Sequence, residues 1–206
     1  LSILAELFVS EKPDSENHQC LTGILQKMSL RPRVQKVIVT QGVLKHTFKL
    51  LKDLVSSITD YSLEYLLAMI INVSTNRFVR QMYETDTENV FVDTLMLYWD
   101  KCPTDVRHFL NGALYSLVSN PQVKKRCVES NLAERIAFEN DQRSSAAQKQ
   151  VEYILEKLAS DSMDDTIISS TDSRDIDSLT LEIVENLCKE TATKAHRTSD
   201  IFRNYQ

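Results

Sequence analysis

The sequence predicts an all-α protein built as a solenoid of about four repeated helical units. The first observation is an apolar stripe at helical spacing in residues 105–120. This stripe is wider than that of a helix with one solvent-exposed side. The second is that this stripe recurs along the chain at steps of 45, 44 and 41 residues. The third is composition, because 3 Gly and 4 Pro in 206 residues suit helices joined by short loops.

The recurring feature is a triplet of apolar residues at positions i, i+4 and i+7 of a helix. Steps of this length fall in the range of armadillo and HEAT repeats. We therefore predict a right-handed armadillo/HEAT-type α-solenoid over residues 1–159. The four triplets are Leu21, Leu25 and Met28; Leu66, Ile70 and Val73; Leu110, Leu114 and Leu117; and Val151, Leu155 and Leu158.

The N-terminal part predicts three helices. A helical pattern covers residues 1–9, and a polar loop follows over 11–17. Apolar spacing predicts the first core helix over 18–30. Residues 31–40 predict the short first helix of the next unit, since proline is tolerated in a first helical turn. Gly42 then predicts a tight corner.

A full three-helix unit is predicted over 31–76. After the corner, residues 43–54 follow the Gly-x-Leu then Phe-x-x-Leu pattern typical of the second helix of an armadillo repeat. The third helix is predicted over 61–74. Asp60 or Ser62 is predicted as its N-cap, because both side chains can accept a backbone N–H.

The next unit is predicted over 77–120, with helices at 77–84, 88–99 and 105–120. Polar residues at 86–89 stand where the preceding unit has its corner glycine. Gly112 lies inside the apolar stripe of the third helix. Because a glycine in mid-helix costs about 1 kcal/mol relative to alanine, we expect a neighbouring helix to approach closely there.

The fourth unit is predicted over 121–159. Its helices are expected at 121–128, 132–138 and 144–159. Asn131 lies at the corner before the second helix, and asparagine is among the few residues that adopt the left-handed conformation. We therefore predict that conformation for Asn131.

Composition and charge change after residue 159. Residues 1–159 carry 19 Asp or Glu and 19 Lys or Arg, so the net charge of −5 lies in 160–206. The Ser- and Asp-rich segment 160–177 predicts an acidic linker. Residues 178–206 predict a C-terminal helix and tail, with the helix docking back on the repeats.

The residues predict no catalytic, metal or cofactor site. The sequence has no phosphate loop, nucleophile elbow or metal triad, and its four cysteines lack metal-ligand spacing. Its four histidines lie in unrelated registers. A catalytic or nucleotide-dependent protein, the alternative from another class, is therefore disfavoured. We expect no enzyme activity, no cofactor and no small-molecule substrate, and, without an apolar run of about 18 residues, no membrane partner.

A basic stretch at 27–52 is the candidate partner-binding element, because it holds seven Lys or Arg and no acid. A solvated helix face is the ordinary interpretation, and a surface for an acidic protein tail is the second. A nucleic-acid surface is the third, disfavoured because the chain is acidic overall and no aromatic residues interleave the bases. The candidate partner-binding residues are Arg31, Arg33, Lys36, Lys45, Lys49, Lys52 and, on a separate argument, Asn72.

Asn72 lies on the predicted third helix of its unit. In armadillo units that bind extended peptides, an asparagine there pairs with the ligand backbone. The equivalent residues in the other units are Lys27, Ser116 and Lys157, so a ladder of such asparagines is broken. This disfavours the alternative function, a generic peptide-binding adaptor of the transport or adhesion type.

Four stretches carry a resemblance to a known family. SLEYLLAMIINVS, FLNGALYSLVSNPQVKK and QVEYILEKLAS resemble, in order and spacing, the armadillo region of the LisH-domain family known as armadillo repeat-containing protein nine. QKMSLRPRVQKVIVTQGVL is similar to that family's entry into the region. The resemblance covers residues 20–160.

The resemblance implies a ciliary scaffold of the cytoplasm and cytoskeleton, located at the basal body, axoneme or ciliary tip. Such a scaffold supports cilium assembly and stability together with microtubule-associated proteins. Combined with the basic stretch, it makes acidic tubulin tails an expected partner.

Overall fold

The computed structural model of the protein describes residues 1–13, 15–74, 76–138 and 145–160. The chain divides into two units, 1–160 and 161–206, and only the first falls within these ranges. The predicted C-terminal helix and all of the predicted acidic linker except Ser160 therefore lie outside the described residues.

The described part of the chain is all-α, as predicted, and contains no strand. None of its helices combines the length and apolarity needed to cross a lipid bilayer. Its eleven helices are α1 Ser2–Ser10, α2 Glu16–Met28, α3 Pro32–Thr40, α4 Val43–Asp53, α5 Asp60–Ser74, α6 Arg77–Glu84, α7 Val90–Met96, α8 Arg107–Val118, α9 Pro121–Glu129, α10 Leu132–Phe138 and α11 Ser145–Ala159.

Equivalent helices of neighbouring units pack against one another in three rows. The third helices follow one another as α2, α5, α8 and α11, and the first helices as α3, α6 and α9. The second helices α1, α4 and α7 make a further row. Stacking of equivalent helices buries a continuous core that one unit alone could not form, which is how repeat proteins are stabilised. The right-handed twist stays a prediction.

The predicted triplets form the core of the two central units. All six of their residues are at most 1% exposed, namely Leu66, Ile70, Val73, Leu110, Leu114 and Leu117. In the outer units Leu21, Met28 and Leu155 are only half-buried, because α2 and α11 each have a described third helix on one side only.

The predicted register of the last unit is wrong at its middle position. Ile154 is fully buried, whereas the predicted Leu155 is half-buried. Helix α11 meets α8, α9 and α10, and the face that it turns to all three carries Val151, Ile154 and Leu158. An i, i+3, i+7 stripe shares most of its surface with an i, i+4, i+7 stripe, so the sequence alone did not separate them.

Three left-handed residues make the corners before the second helices. Gly42 has a φ of 73°, Asn89 of 59° and Asn131 of 55°, which confirms the predictions for Gly42 and Asn131. At the middle corner Asp86 adds a second element, because its carboxylate accepts the N–H groups of Val90 at 3.1 Å and of Phe91 at 3.0 Å. Asparagine adopts the left-handed conformation at lower cost than most residues.

The predicted N-cap of the third helix α5 is wrong. The hydroxyl of Thr59, not Asp60 or Ser62, accepts the N–H of Ser62 at 3.2 Å. Helix α5 begins at Asp60, one residue earlier than predicted. The capping position therefore falls on residue 59, since an N-cap side chain binds the N–H of the second or third residue beyond it.

Candidate partner-binding surface

Three of the candidate bases belong to the first helix of their unit. Arg31 is the residue before α3, and Arg33 and Lys36 lie on it with their side chains exposed. The opposite face of α3 buries Val34 and Ile38. The ammonium group of Lys36 lies 5.6 Å from the ring centroid of Phe78 on α6, so its stem covers apolar surface while its charge stays near water.

The other three bases form the lysine ridge, defined as Lys45, Lys49 and Lys52. They lie at i, i+4 and i+7 of α4, and all three are exposed. The other side of the helix is the core face with Leu44 and Phe48. Among the described residues, none of the three ammonium groups forms a salt bridge. The ridge therefore presents three aligned positive charges to the solvent.

Asn72 does not join this surface. It lies on α5, is 8% exposed, and donates its amide to the hydroxyl of Ser29 at 2.8 Å and to the carbonyl of Gln26 at 3.5 Å. Its backbone carbonyl accepts a hydrogen bond from the side-chain amide of Gln35 at 2.9 Å. The polar groups of Asn72 thus link two third helices and the first helix between them.

The sequence did not predict two further polar contacts, each between a first helix and the end of a third helix. Lys124, only 8% exposed, donates to the carbonyl and hydroxyl of Ser160 at 2.5 and 2.8 Å, just beyond the end of α11. Gln35 lies at the same position of α3 and donates to the carbonyl of Ser29 at 3.0 Å, beyond the end of α2 in the preceding unit. Both residues lie four positions after a helix N-cap. For Lys124 the positive charge is a signal that could have indicated the contact, because cations are stabilised near a helix C-terminus.

Asn76 and Asn120 cap equivalent first helices and also reach back one unit. Asn76 accepts the N–H of Phe78 at 3.0 Å and donates to Gln35 at 3.3 Å. Asn120 accepts two N–H groups of α9, and its amide lies 3.5 Å from the carbonyl of Arg80. These contacts join successive units into one stack.

Two histidines in unrelated registers meet around one phenylalanine. Phe8 of α1 is fully buried, with its ring stacked on His18 at 4.8 Å and edge-on to His46 at 5.6 Å. Burial, followed by the neighbouring His18 and then Lys49, lowers the pKa of His46, and Asp53 partly opposes this. The cluster fastens α1 to α2 and α4.

The cysteines and acids of the described residues assemble no metal-binding group. Cys102 and Cys127 are buried, and Cys20 is exposed. Burial raises the pKa of Cys127 to about 12, so its thiol stays protonated and unreactive at neutral pH.

Comparison with known proteins identifies the family of the repeats. The family model described as LisH domain-containing protein ARMC9, ARM repeats, matches residues 38–159. The curated LisH domain-containing protein ARMC9 of Danio rerio is 26% identical over 161 residues, covering 78% of this chain and 19% of its own length. The Mus musculus and Homo sapiens proteins are 25% and 24% identical over 172 residues, covering 84% of this chain and 21% of theirs.

The chain spans about a fifth of the length of these relatives. The matched residues run from the last turn of α3 to the end of α11 and comprise more than half of the chain. They therefore include most of the first central unit and all of the second. The chain belongs to the family of LisH domain-containing protein ARMC9 and carries its armadillo repeats.

Proposed function

We propose that this chain is a non-enzymatic scaffold and protein-interaction module of the cilium. Its place is the basal body, the axoneme or the ciliary tip, where it supports cilium assembly and stability with microtubule-associated proteins. Membership of the ARMC9 family and the resemblance of its repeat motifs support this proposal. Acidic tubulin tails are proposed as one of its contacts.

The observation that carries the interaction role is the contrast between two sets of polar residues. Asn72, Asn76 and Asn120 make hydrogen bonds between units, and Lys124 makes them between two helices of the last unit, so all four side chains strengthen the stack. The lysine ridge is exposed and unpaired among the described residues. Exposed like charges that stabilise nothing in the fold are available to attract an anionic partner.

Proximity labelling of the full-length protein in ciliated cells tests the proposed place and partners. We expect basal-body and axonemal microtubule-associated proteins to be enriched over a diffuse labelling enzyme. A labelled set identical to that of the diffuse enzyme would contradict the ciliary assignment.

Microtubule co-sedimentation across a salt series tests the proposed contact. The charge reversal Lys45→Glu, Lys49→Glu, Lys52→Glu should weaken binding at low salt, with helicity by circular dichroism unchanged. The difference should vanish near 1 M salt, where charges are screened over about 3 Å. If the reversed protein binds as well as the parent at every salt concentration, the ridge is only a solvated face.

A thermal-shift screen tests whether the chain binds a nucleotide or a metal ion, as nucleotide- or metal-dependent catalysis would require. We expect no change in Tm with nucleoside triphosphates or divalent cations. A saturable rise in Tm would reveal a binding site for that ligand, because a ligand that binds only the folded state stabilises it by mass action.

A further inference from the structure

Gly23 of α2 makes room for an aromatic ring at the surface of the repeats. A methyl group at this position would stand 2.7 Å from the hydroxyl oxygen of Tyr61, which is 43% exposed. The other glycine inside a described helix, Gly112, faces the buried Ile71 instead. A glycine in mid-helix is destabilising relative to alanine, and around Gly112 burial of the core offsets that cost. At Gly23 the same cost places a half-exposed tyrosine against the helix backbone.

Tyr61 and Tyr65 of α5 together form a surface that we call the aromatic platform. Their ring centroids lie 4.4 Å apart, and the ring planes are inclined by 30°. Tyr65 also reaches α2, since a carbon of its ring would lie 3.8 Å from a methyl group at Gly23. Because Tyr65 covers one face of the Tyr61 ring, the exposed part of Tyr61 belongs to the opposite face and the ring edge. The platform therefore offers an aromatic surface to the solvent.

Carboxylates predominate on the two helices that carry the platform. Glu64 lies three residues after Tyr61, and residues three apart on a helix face the same side. Burial raises the pKa of both tyrosine hydroxyls, and the negative charge of Glu64 raises both further. The other acids of α2 and α5 are the exposed Glu16 and Asp60, and their one Lys or Arg is Lys27, in the last turn of α2. The platform is therefore an aromatic surface in an acidic environment.

Such a surface favours a flat cation. A guanidinium group stacks on an aromatic ring, where the π electrons attract it, and its planar fork of N–H groups fits a carboxylate with two parallel hydrogen bonds. An ammonium group is attracted to the same ring but has no planar fork. Arginine and tyrosine are also enriched among the residues that dominate binding at protein interfaces. The chemistry of the platform therefore selects an arginine side chain of another protein.

We infer that the aromatic platform and Glu64 bind an arginine side chain of a partner protein. The guanidinium group stacks on the exposed face of Tyr61 and donates hydrogen bonds to the carboxylate of Glu64. Gly23 allows the Tyr61 ring to lie directly on the backbone of α2. This site takes a cation on α2 and α5, whereas the lysine ridge on α4 is proposed for anions. The inference therefore does not depend on the ciliary function or on tubulin.

The three glycines of the chain provide the reporters for a test by NMR. Labelling the whole chain with nitrogen-15 glycine gives one backbone amide signal each for Gly23 under the platform, Gly42 at the start of α4 and Gly112 in the core. The probe is a short peptide of uncharged glycine and serine residues with one central arginine, titrated at about 0.1 M salt. Peptides with lysine or citrulline in place of the arginine are compared, because citrulline keeps the shape of arginine without its charge.

The arginine peptide should move the Gly23 signal in a saturable way and leave the Gly42 and Gly112 signals nearly unchanged. The lysine peptide should bind about threefold more weakly and the citrulline peptide about tenfold more weakly, because the cation supplies most of the attraction. Equal affinities of the arginine and citrulline peptides would overturn the inference. The absence of a shift at Gly23, or equal shifts at all three glycines, would overturn it as well.

Two pairs of variants test the residues of the site. Tyr61→Leu should weaken binding of the arginine peptide about three- to fivefold, because it removes the ring on which the cation stacks. Its control, Tyr153→Leu, removes a tyrosine of 45% exposure from α11 and should change the affinity less than about 1.5-fold. Glu64→Gln should weaken binding about threefold. Its control, Glu152→Gln, makes the same change in net charge at an exposed acid of α11 and should have little effect.

The Gly42 and Gly112 signals also show whether each variant is folded, since a folded variant keeps both at their positions in the parent. If Tyr61→Leu does not keep them, Glu64→Gln and the comparison of the three peptides on the parent decide the question. Equal losses of affinity within either pair of variants would show that general aromatic content or net charge is responsible, and would overturn the site.

Discussion

Gly112 of α8 lies directly against Ile71 of α5, so that a methyl group at the glycine would stand 2.9 Å from Cδ1 of the isoleucine. Real carbon atoms do not approach so closely without movement, and Ile71 is only 1% exposed. This contact confirms the expected close approach at the glycine. The third helices of successive units meet here at a distance that only a residue without a side chain permits.

The first prediction follows from that contact. Gly112→Ala should not give the stabilisation of about 1 kcal/mol that the change brings in a free helix; we expect a loss of about 1–2 kcal/mol from overpacking. Ile71→Val removes Cδ1, so the double variant should be more stable than Gly112→Ala alone. Urea denaturation of the four proteins in a double-mutant cycle measures the coupling. Additive effects would mean that the two side chains do not meet.

The second prediction concerns the repeated core. Leu114→Ala and Ile70→Ala should each lower the free energy of unfolding by about 2–5 kcal/mol, because they remove buried atoms and leave a cavity. Ile154→Ala should fall in the same range. Leu155→Ala, its half-buried neighbour, should cost clearly less. If denaturant unfolding showed comparable losses of stability for the variants at residues 154 and 155, the register expected from the sequence would be supported.

The third prediction concerns the contact between Lys124 and Ser160. Lys124→Met should cost about 1.5–3 kcal/mol, the usual contribution of hydrogen bonds that involve a charged group. Lys125→Met is the matched control, since Lys125 is exposed and surface changes usually stay within about 0.5 kcal/mol. Hydrogen exchange should show loss of protection at the end of α11 for the first variant. Protection unchanged there would mean that the contact does not hold the helix end.

The fourth prediction is a loss of stability on acidification. Because burial holds the pKa of His46 below its ordinary value of 6.5, the unfolded chain takes up a proton on His46 before the folded chain does. The contribution of His46 to the free energy of unfolding is complete above pH 6.5 and declines as the pH falls below that value.

The measurement is the free energy of unfolding from pH 8 to pH 5 for the parent and for His46→Gln. The variant should show a shallower decline below about pH 6.5. Its folded state is compared by far-UV circular dichroism at pH 8, so that a general loss of structure is recognised. Parallel curves for the two proteins would show that His46 does not contribute to the decline.

The order of apolar, polar and turn-forming residues along the chain was enough to predict the helices, their grouping into units and two of the three corners. These features depend on residues a few positions apart: the apolar period of Leu110, Leu114 and Leu117, or the conformational preference of Gly42 and Asn131. The exposure of the lysine ridge also followed from the chain, because Lys45, Lys49 and Lys52 alternate with core residues at helical spacing.

Which residues of different helices meet could be seen only in the folded structure. Asn72 binds Ser29 across 43 residues, and Lys124 binds Ser160 across 36. His46 meets Phe8, and Asp93 faces Arg135. The reason is physical: helical periodicity specifies which face of a helix is covered, whereas the partner of each side chain depends on how far the helices shift and rotate when they pack. A local pattern contains no information on that shift. The packing shift is what turns the amide of Asn72 into the stack.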